Sequence, residues 1–142
     1  MARKTRKARF KPFEGEHEGG RHLRITLNMM ESEAWRKLSS FAIHVYLLLK
    51  IQYNGENKDN LTLTHKEGTR HMTDRRFTAA LDELINYGFI YIVEYRFNTR
   101  ESNIYGLSDM WKHYGTDKFK IYPRPKRSAD STQRLGKKND TS

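Results

Sequence analysis

The residues best suited to bind a charged ligand stand at the start of one predicted helix. Its apolar residues recur at helical spacing and form one face: Phe77, Ala80, Leu81, Leu84 and Ile85. An arginine on the other face can donate two parallel hydrogen bonds to a guanine edge, and a threonine hydroxyl can reach a phosphate oxygen. The first two turns therefore supply the candidate nucleic-acid contacts, which are Thr73, Asp74, Arg75, Arg76, Thr78 and Ala79.

Local sequence signals define both ends of this helix. Thr73 is a good N-cap, and Met72 and Phe77 occupy the two positions of a hydrophobic staple around it. Gly88 follows the last periodic residue and is a candidate left-handed cap, with the apolar Phe89 next to fold back on the helix. The sequence therefore predicts one helix of about four turns between Thr73 and Gly88.

A weaker helix is predicted just before this one. Thr64 and Glu67 form a capping box for a helix over residues 65–71. Gly68 is unfavourable inside a helix, so this one must depend on packing against its neighbours. Upstream of it, residues 61–63 alternate apolar and polar side chains as a short strand does.

A hairpin is predicted after the longer helix. Residues 89–97 are rich in β-branched and aromatic types, residues 98–102 form a polar turn, and residues 103–107 return. Two helices joined by a tight turn and followed by a hairpin predict an α+β fold, a winged helix-turn-helix with three main helices and a β-hairpin wing. Its second helix would enter the major groove of DNA. The candidate helpers on the wing are Arg96, Arg100 and Asn103.

The longest helical signal lies upstream, over residues 31–53. Apolar residues there recur at helical spacing and spread beyond one stripe, which indicates a helix that is buried over much of its circumference. Ser39 and Ser40 leave two alternatives open, one kinked helix or two successive helices. Residues 23–27 alternate as a short extended segment, and Ser108 is expected to cap a short helix that closes one side of the core.

The positive charge of the chain lies at its two ends. The 142 residues carry a formal net charge of +10, yet residues 13–115 hold 13 basic and 14 acidic side chains. Residues 1–12 hold six Lys or Arg and no acid, and residues 116–142 hold eight basic and three acidic residues. A basic N-terminal arm can track phosphates or enter a minor groove. Its candidate contacts are Arg3, Lys4, Arg6, Lys7 and Arg9.

Composition also suggests where the folded domain begins and ends. We expect a disordered basic arm and a Gly/Glu-rich linker over residues 1–20, because that stretch has little apolar content. The winged-helix domain is expected over residues 21–122. A disordered basic tail is expected over residues 123–142.

Several kinds of functional site are not expected in this chain. It contains no cysteine, which excludes disulfides, thiolate metal sites and thiol nucleophiles. It has no paired histidines, no glycine-rich phosphate loop and no serine-nucleophile motif, so we expect no enzyme, no metal, no cofactor and no small-molecule ligand. No apolar run approaches the roughly 18 residues of a membrane span, so a membrane partner is not expected.

Short strings along the chain are similar to those of one known class of protein. They are AWRKLS at 34–39, VYL at 45–47, YNGEN at 53–57, LTLT at 61–64, ALDEL at 80–84, GFI at 88–90 and YGLS at 105–108, followed by Trp111, Tyr114 and Gly115. In them the chain resembles small winged-helix proteins of bacterial phages and plasmids, including the DNA-binding domains of replication initiators. The resemblance covers about residues 23–116, and it implies DNA binding in a bacterial cytoplasm.

These features together predict sequence-specific binding of double-stranded DNA, in replication or transcriptional control of a mobile element. The alternative is a protein interaction module that forms a homodimer or binds a replication partner through exposed aromatics, with non-specific nucleic-acid binding by the tails. The aromatics expected to be exposed are Tyr87, Tyr91 and Tyr95. Basic tails and exposed aromatics do not choose between DNA and RNA, so RNA stays open as a ligand.

Overall fold

Five α-helices and a three-stranded antiparallel sheet form the part of the chain that the computed structural model describes, residues 22–96 and 101–125. The helices are α1 (Leu27–Glu31), α2 (Glu33–Arg36), α3 (Ser40–Lys50), α4 (His65–Gly68) and α5 (Asp74–Asn86). The strands are β1 (Leu61–Thr62), β2 (Ile90–Glu94) and β3 (Ile104–Leu107), and a 3₁₀ helix spans Met110–His113. This α+β architecture is compatible with the predicted winged helix, but only α3 and α5 exceed five residues.

The long helix predicted over residues 31–53 is interrupted. Ser32 and Ser39 have extended backbones, and their hydroxyls accept hydrogen bonds from Trp35 N and Ala42 N, both at 3.2 Å. Each serine therefore starts a new helix, and the alternative of successive helices is the correct one. The extended segment predicted over residues 23–27 is wrong at its last residue, because Thr26 caps α1 and Leu27 is helical.

Both predicted ends of α5 are confirmed. Thr73 Oγ1 accepts a hydrogen bond from Arg76 N at 3.3 Å, which satisfies one of the free N–H groups at the helix start. At the other end Gly88 has φ +82°, and its N–H bonds the carbonyl of Ile85 at 3.2 Å while Phe89 N bonds that of Leu84 at 2.9 Å. This pair of bonds is a Schellman motif, which turns the chain directly into β2.

The helix predicted over residues 65–71 is real but short. Its capping box is confirmed, since Thr64 Oγ1 accepts from Glu67 N at 3.1 Å and Glu67 Oε2 accepts from Thr64 N at 3.2 Å. Gly68, the last residue of α4, is buried beneath Phe77. The predicted extension to His71 is wrong, because the chain turns after Gly68 to reach the cap of α5.

The sheet has the order β1-β3-β2, so β3 pairs with both neighbours. Leu61 lies opposite Tyr105, and Ile92 lies opposite Tyr105 on the other side. The register between β2 and β3 shifts after Ile92, where a bulge twists the end of the hairpin. Gly106 leaves room on β3 for the ring of Tyr91.

The core lies between α3, α5 and the sheet. Its largest fully buried side chains are Phe77, Phe89, Leu49, Leu61, Leu84, Ile90 and Val45. Phe89 contacts three aromatic rings at 5.7 to 6.0 Å between centroids, those of Trp35, Tyr46 and Trp111. The predicted C-terminal helix is a 3₁₀ turn, and Ser108 Oγ accepts from Met110 N at 3.1 Å at its start. It carries Trp111 into the core, where the indole stacks on Phe89 and the Trp111 backbone N–H donates to the Gly88 carbonyl at the end of α5.

Candidate nucleic-acid interface

The predicted contact residues of α5 have different surroundings in the structure. Arg75 and Ala79 are exposed, and Thr78 is half-buried. Asp74 Oδ1 lies 2.6 Å from His65 Nδ1 of α4, and Thr73 uses its hydroxyl oxygen as the helix cap. Two of the predicted contact residues, Asp74 and Thr73, are therefore already used in local bonds that stabilise the turn between α4 and α5.

Arg75 and Arg76, in the first turn of α5, differ in whether the guanidinium already has a partner within the protein. The guanidinium of Arg76 lies over the ring of Phe41 on α3, 4.4 Å from its centroid, so it packs against the neighbouring helix. Arg75 is exposed and has no carboxylate or aromatic partner among residues 22–96 and 101–125. Of the three predicted arginines that the structure describes, Arg75, Arg76 and Arg96, Arg75 is the one that is exposed and unpaired in the described residues.

Two further exposed cations, which sequence reasoning missed, lie on α4 and in the turn that leads to α5. Lys66 on α4 and Arg70 in the following turn are exposed, and neither has an ion-pair partner in the described residues. We name Lys66, Arg70 and Arg75 the basic edge. The sequence signal was the spacing of Lys66 and Arg70, which are four residues apart and would share one face of the helix predicted over residues 65–71.

The hairpin has its positive charge neutralised internally. Arg96 Nε lies 3.3 Å from Glu94 Oε1, and its Nη1 also bonds Glu101. The backbone N–H of Arg96 donates to Asn103 Oδ1 at 2.8 Å, so the amide oxygen of Asn103 is used in a hydrogen bond within the hairpin. The predicted helper role of Arg96 and Asn103 is therefore weak on geometric grounds, while Arg100 lies outside the described residues.

The acids of α5 are also bonded within the protein. Glu83 accepts from Ser39 N at 2.9 Å and from Ser39 Oγ at 2.6 Å, which ties α5 to the start of α3. Arg124 Nε lies 3.0 Å from Asp82 Oδ1, and Arg124 Nη2 donates to Asp82 Oδ2 at 3.1 Å. Neither partner was predicted, because each lies more than 40 residues away in the sequence.

A groove of about 800 Å³ separates the second half of α5 from the hairpin. Asp82 and Asn86 form one side, Arg96 and Asn103 form the other, and residues 123–125 lie along it. Arg96 and Arg124 in this groove are already paired with carboxylates, and Lys66 of the basic edge is the lining cation that has no ion-pair partner in the described residues. The basic edge is therefore the better candidate for contact with a polyanion.

The three tyrosines predicted to be exposed are half-buried. Tyr87 packs its ring against Tyr114, with 5.5 Å between centroids. The Tyr91 hydroxyl donates to Asp59, and burial together with this bond raises the pKa of Tyr91 to about 12. Tyr87 also packs against the hydrophobic core, and all three rings expose less surface than the interaction-module alternative expects.

The remaining predicted contacts fall outside the described residues, namely Arg3, Lys4, Arg6, Lys7 and Arg9.

Across residues 22–96 and 101–125, no three His, Asp or Glu side chains come together as metal ligands. In the same residues no helix has both the length and the apolar character to cross a bilayer.

Comparisons with protein-family models, with curated proteins and with solved structures return no match for this chain. The resemblance to winged-helix proteins of phages and plasmids therefore stays a prediction from short sequence strings. The candidate interface is interpreted from its own geometry and charge, in which exposed cations surround the start of an amphipathic helix.

Proposed function

We propose that this chain is a winged helix-turn-helix protein that binds double-stranded DNA, with α5 as the recognition helix. The observation that carries the proposal is the basic edge. Lys66, Arg70 and Arg75 are exposed and unpaired in the described residues, while the nearby arginines at 96 and 124 are paired with carboxylates. Three exposed cations thus lie on the two helices, and in the turn between them, that a helix-turn-helix places against DNA.

Each part of the basic edge has a distinct role in this proposal. Arg75, in the first turn of α5, reads base edges in the major groove. Lys66 and Arg70, on α4 and in the turn, contact the phosphates that the first helix crosses. The positive end of the α5 dipole adds to the attraction for phosphate. The basic ends of the chain supply further phosphate contacts without sequence preference.

The biological setting follows from the resemblance and from no other observation. Winged helices of phages and plasmids act in replication or in transcriptional control, so we propose one of these roles for a mobile element in a bacterial cytoplasm. A dimer that reads two half-sites and a monomer that reads repeated sites would recognise different DNA patterns.

Selection of bound sequences from a random duplex pool at physiological salt tests the proposal directly. Enrichment of a palindrome would indicate a dimeric regulator, and enrichment of repeated sites would indicate an initiator. Recovery without enrichment would limit the function to non-specific binding. A chain that retains no duplex at low salt would contradict DNA binding altogether.

A second candidate function is self-association, which one observation favours. Leu27 and Met30 on α1 are 67% and 51% exposed and are spaced by one helical turn, so they present apolar surface side by side. Sedimentation of the wild-type chain and of the L27S/M30S variant tests this candidate. A dimer that the substitutions dissociate supports it, and a wild-type monomer at high concentration excludes it.

A further inference from the structure

A C-terminal strap, residues 119–125, is attached to the rest of the domain at two points. At its start the Phe119 ring packs edge-on against Tyr114, with 5.4 Å between centroids. Near its end Arg124 Nε lies 3.0 Å from Asp82 Oδ1, and Arg124 Nη2 donates to Asp82 Oδ2 at 3.1 Å. Two parallel bonds fix the orientation of the guanidinium as well as its charge, so this clasp holds the strap on α5.

The clasp lies on the stripe of α5 that faces away from the core. Arg75, Ala79 and Asn86 are exposed and share one face with Asp82, because the four positions are spaced by three or four residues. Asp82 is the half-buried member of the stripe, and it follows Arg75 by two turns, roughly 10 Å along the helix. The strap therefore contacts the second half of this stripe and leaves the first turn uncovered.

The strap also borders the groove between α5 and the hairpin. Pro123, Arg124 and Pro125 line that groove together with Asn86. Each proline fixes its own φ and restricts the residue before it, so the end of the strap is a stiff segment. Because this segment is fastened through Arg124, its position beside α5 depends on the clasp.

We propose that the strap is an autoinhibitory lid on α5 and that binding of duplex DNA opens the clasp. The major groove is about 12 Å wide and a helix with its side chains is about 10 to 12 Å across, so the groove admits one helix without a second segment on its exposed stripe. With the clasp closed, the first turn of α5 enters the groove and the second half is held out. The inference rests on the proposed function and assigns a regulatory element to the same site.

The charges explain why the clasp is closed in the free chain and opens on a polyanion. Arg124 and Asp82 neutralise each other within the protein. Phosphate competes with the carboxylate for the guanidinium, because both are bidentate acceptors for arginine. Opening leaves Asp82 beside the DNA, a repulsion that the contacts of the inserted helix offset. The two side chains are 33% and 37% exposed, and ion pairs of that kind change an equilibrium by up to about fivefold.

A variant that opens the clasp without changing the net charge tests the lid. D82N/R124Q removes one acid and one base, so charge alone predicts unchanged affinity for a mixed-sequence duplex. The lid predicts binding about threefold tighter, because the variant has no ion pair to break. The matched control K58Q/D117N makes the same change of charge at two exposed positions outside the clasp, and it should bind as the wild-type chain does.

Single substitutions separate the lid from a direct contact of Arg124 with DNA. Arg124→Gln and Lys58→Gln each lower the net charge by one, so charge alone predicts an equal loss of affinity. The lid predicts that Arg124→Gln binds the duplex more tightly than Lys58→Gln. Weaker binding by Arg124→Gln would show that the arginine is a DNA contact, and the lid would be wrong.

A reversible covalent lock tests the converse. The chain contains no cysteine, so D82C/R124C carries only the two introduced thiols. A bis-methanethiosulfonate reagent that links them holds the strap on α5, and a reductant releases it. The linked protein should bind the duplex several-fold more weakly than the same protein after reduction. Arg124→Cys alone, treated with the same reagent, should show no such change on reduction.

Nuclear magnetic resonance shows whether DNA opens the clasp. In ¹⁵N–¹H spectra of the free chain the Arg124 Nε–H signal should stand apart from those of unpaired arginines, and added duplex should remove it from that position. A signal that stays in place on saturation with duplex, or equal affinity of D82N/R124Q and K58Q/D117N, overturns the lid. If neither the wild-type chain nor D82N/R124Q retains duplex at low salt, the proposed function itself fails.

Discussion

Gly68 at the end of α4 lies directly against the ring of Phe77 on α5. A Cβ atom at position 68 would stand 2.7 Å from Phe77 Cζ and closer still to Cδ2 and Cε2. The glycine is therefore required by the close approach of the two helices, and its φ is not positive. Helix propensity alone marks this residue as unfavourable, but tertiary packing decides its identity.

Gly68→Ala should destabilise the domain. In an exposed helix this change adds about 0.5 to 1 kcal/mol of stability, whereas overpacking a tight contact costs about 1 to 3 kcal/mol. We expect the second effect to win, because the added methyl group meets a fully buried ring. Urea unfolding of the two chains measures the difference, and unchanged or higher stability would contradict the contact.

Phe77→Leu provides the matched background for that experiment. The smaller side chain vacates the space that the Cβ atom would enter, although it lowers stability on its own by leaving a cavity. Gly68→Ala should therefore cost less in the Phe77→Leu chain than in the wild type. An equal cost in both backgrounds would show that the two positions do not interact.

Glu83→Ala should destabilise the junction between α5 and α3. The carboxylate accepts bonds from both Ser39 N and Ser39 Oγ, and Ser39 in turn caps α3. Loss of this acceptor leaves the two donors without a protein partner, which costs about 1 to 3 kcal/mol. Denaturant unfolding measures the cost, and Glu56→Ala in the exposed 54–60 turn is the control that should change little.

The same junction shows which parts of the fold could be predicted. The ends of α5 and α4 depend on residues within a few positions of each other, as at Thr73 and Gly88, so sequence signals were sufficient. The partner of Ser39 is 44 positions away, and that of Asp82 is 42 positions away. Periodicity carries no information about such pairings. The carboxylates that neutralise Arg96, by contrast, are only two and five positions away, so that pairing depends on how the hairpin orients the side chains and not on sequence distance.

Alkaline pH should destabilise the domain through Tyr46. This side chain is 2% exposed, and burial raises its pKa from about 10 to about 12, with a smaller contribution from Asp109. The phenol keeps its proton in the folded chain between these values and loses it in the unfolded chain. Its contribution to stability is thus complete below pH 10 and is lost between pH 10 and 12.

Tyr46→Phe measures that contribution. The difference in stability between wild type and variant should shift by about 2 kcal/mol from pH 9 to pH 12, because one unit corresponds to about 1.4 kcal/mol and the folded phenol is itself half ionised near pH 12. Chemical denaturation at each pH provides the measurement, and the comparison at pH 7 gives the effect of losing the hydroxyl alone. Parallel stability curves across the whole range would contradict the assignment.

Arg75→Ala should weaken binding of a selected DNA site and relax its base preference. A bidentate arginine contact with guanine contributes about 1 to 3 kcal/mol of discrimination, and the exposed Arg75 can make one. Lys66→Gln should instead weaken binding of all duplexes and lower the salt slope by about one. Lys58→Gln, which removes the same charge from the 54–60 turn, is the control. Equal affinities for all four proteins would contradict the basic edge as the DNA contact.

Arg96→Gln should leave duplex affinity nearly unchanged, although a wing arginine is a natural candidate for a DNA contact. Its guanidinium is bonded to Glu94 and Glu101, so phosphate would have to compete with two carboxylates. Glu94→Gln with Glu101→Gln should tighten binding, because it frees Arg96 and removes two negative charges from the hairpin. The triple variant, with all three residues changed to Gln, should lose part of this gain. Duplex titrations at two salt concentrations measure each effect, and a loss of affinity in Arg96→Gln as large as in Arg75→Ala would place the wing in direct contact with DNA.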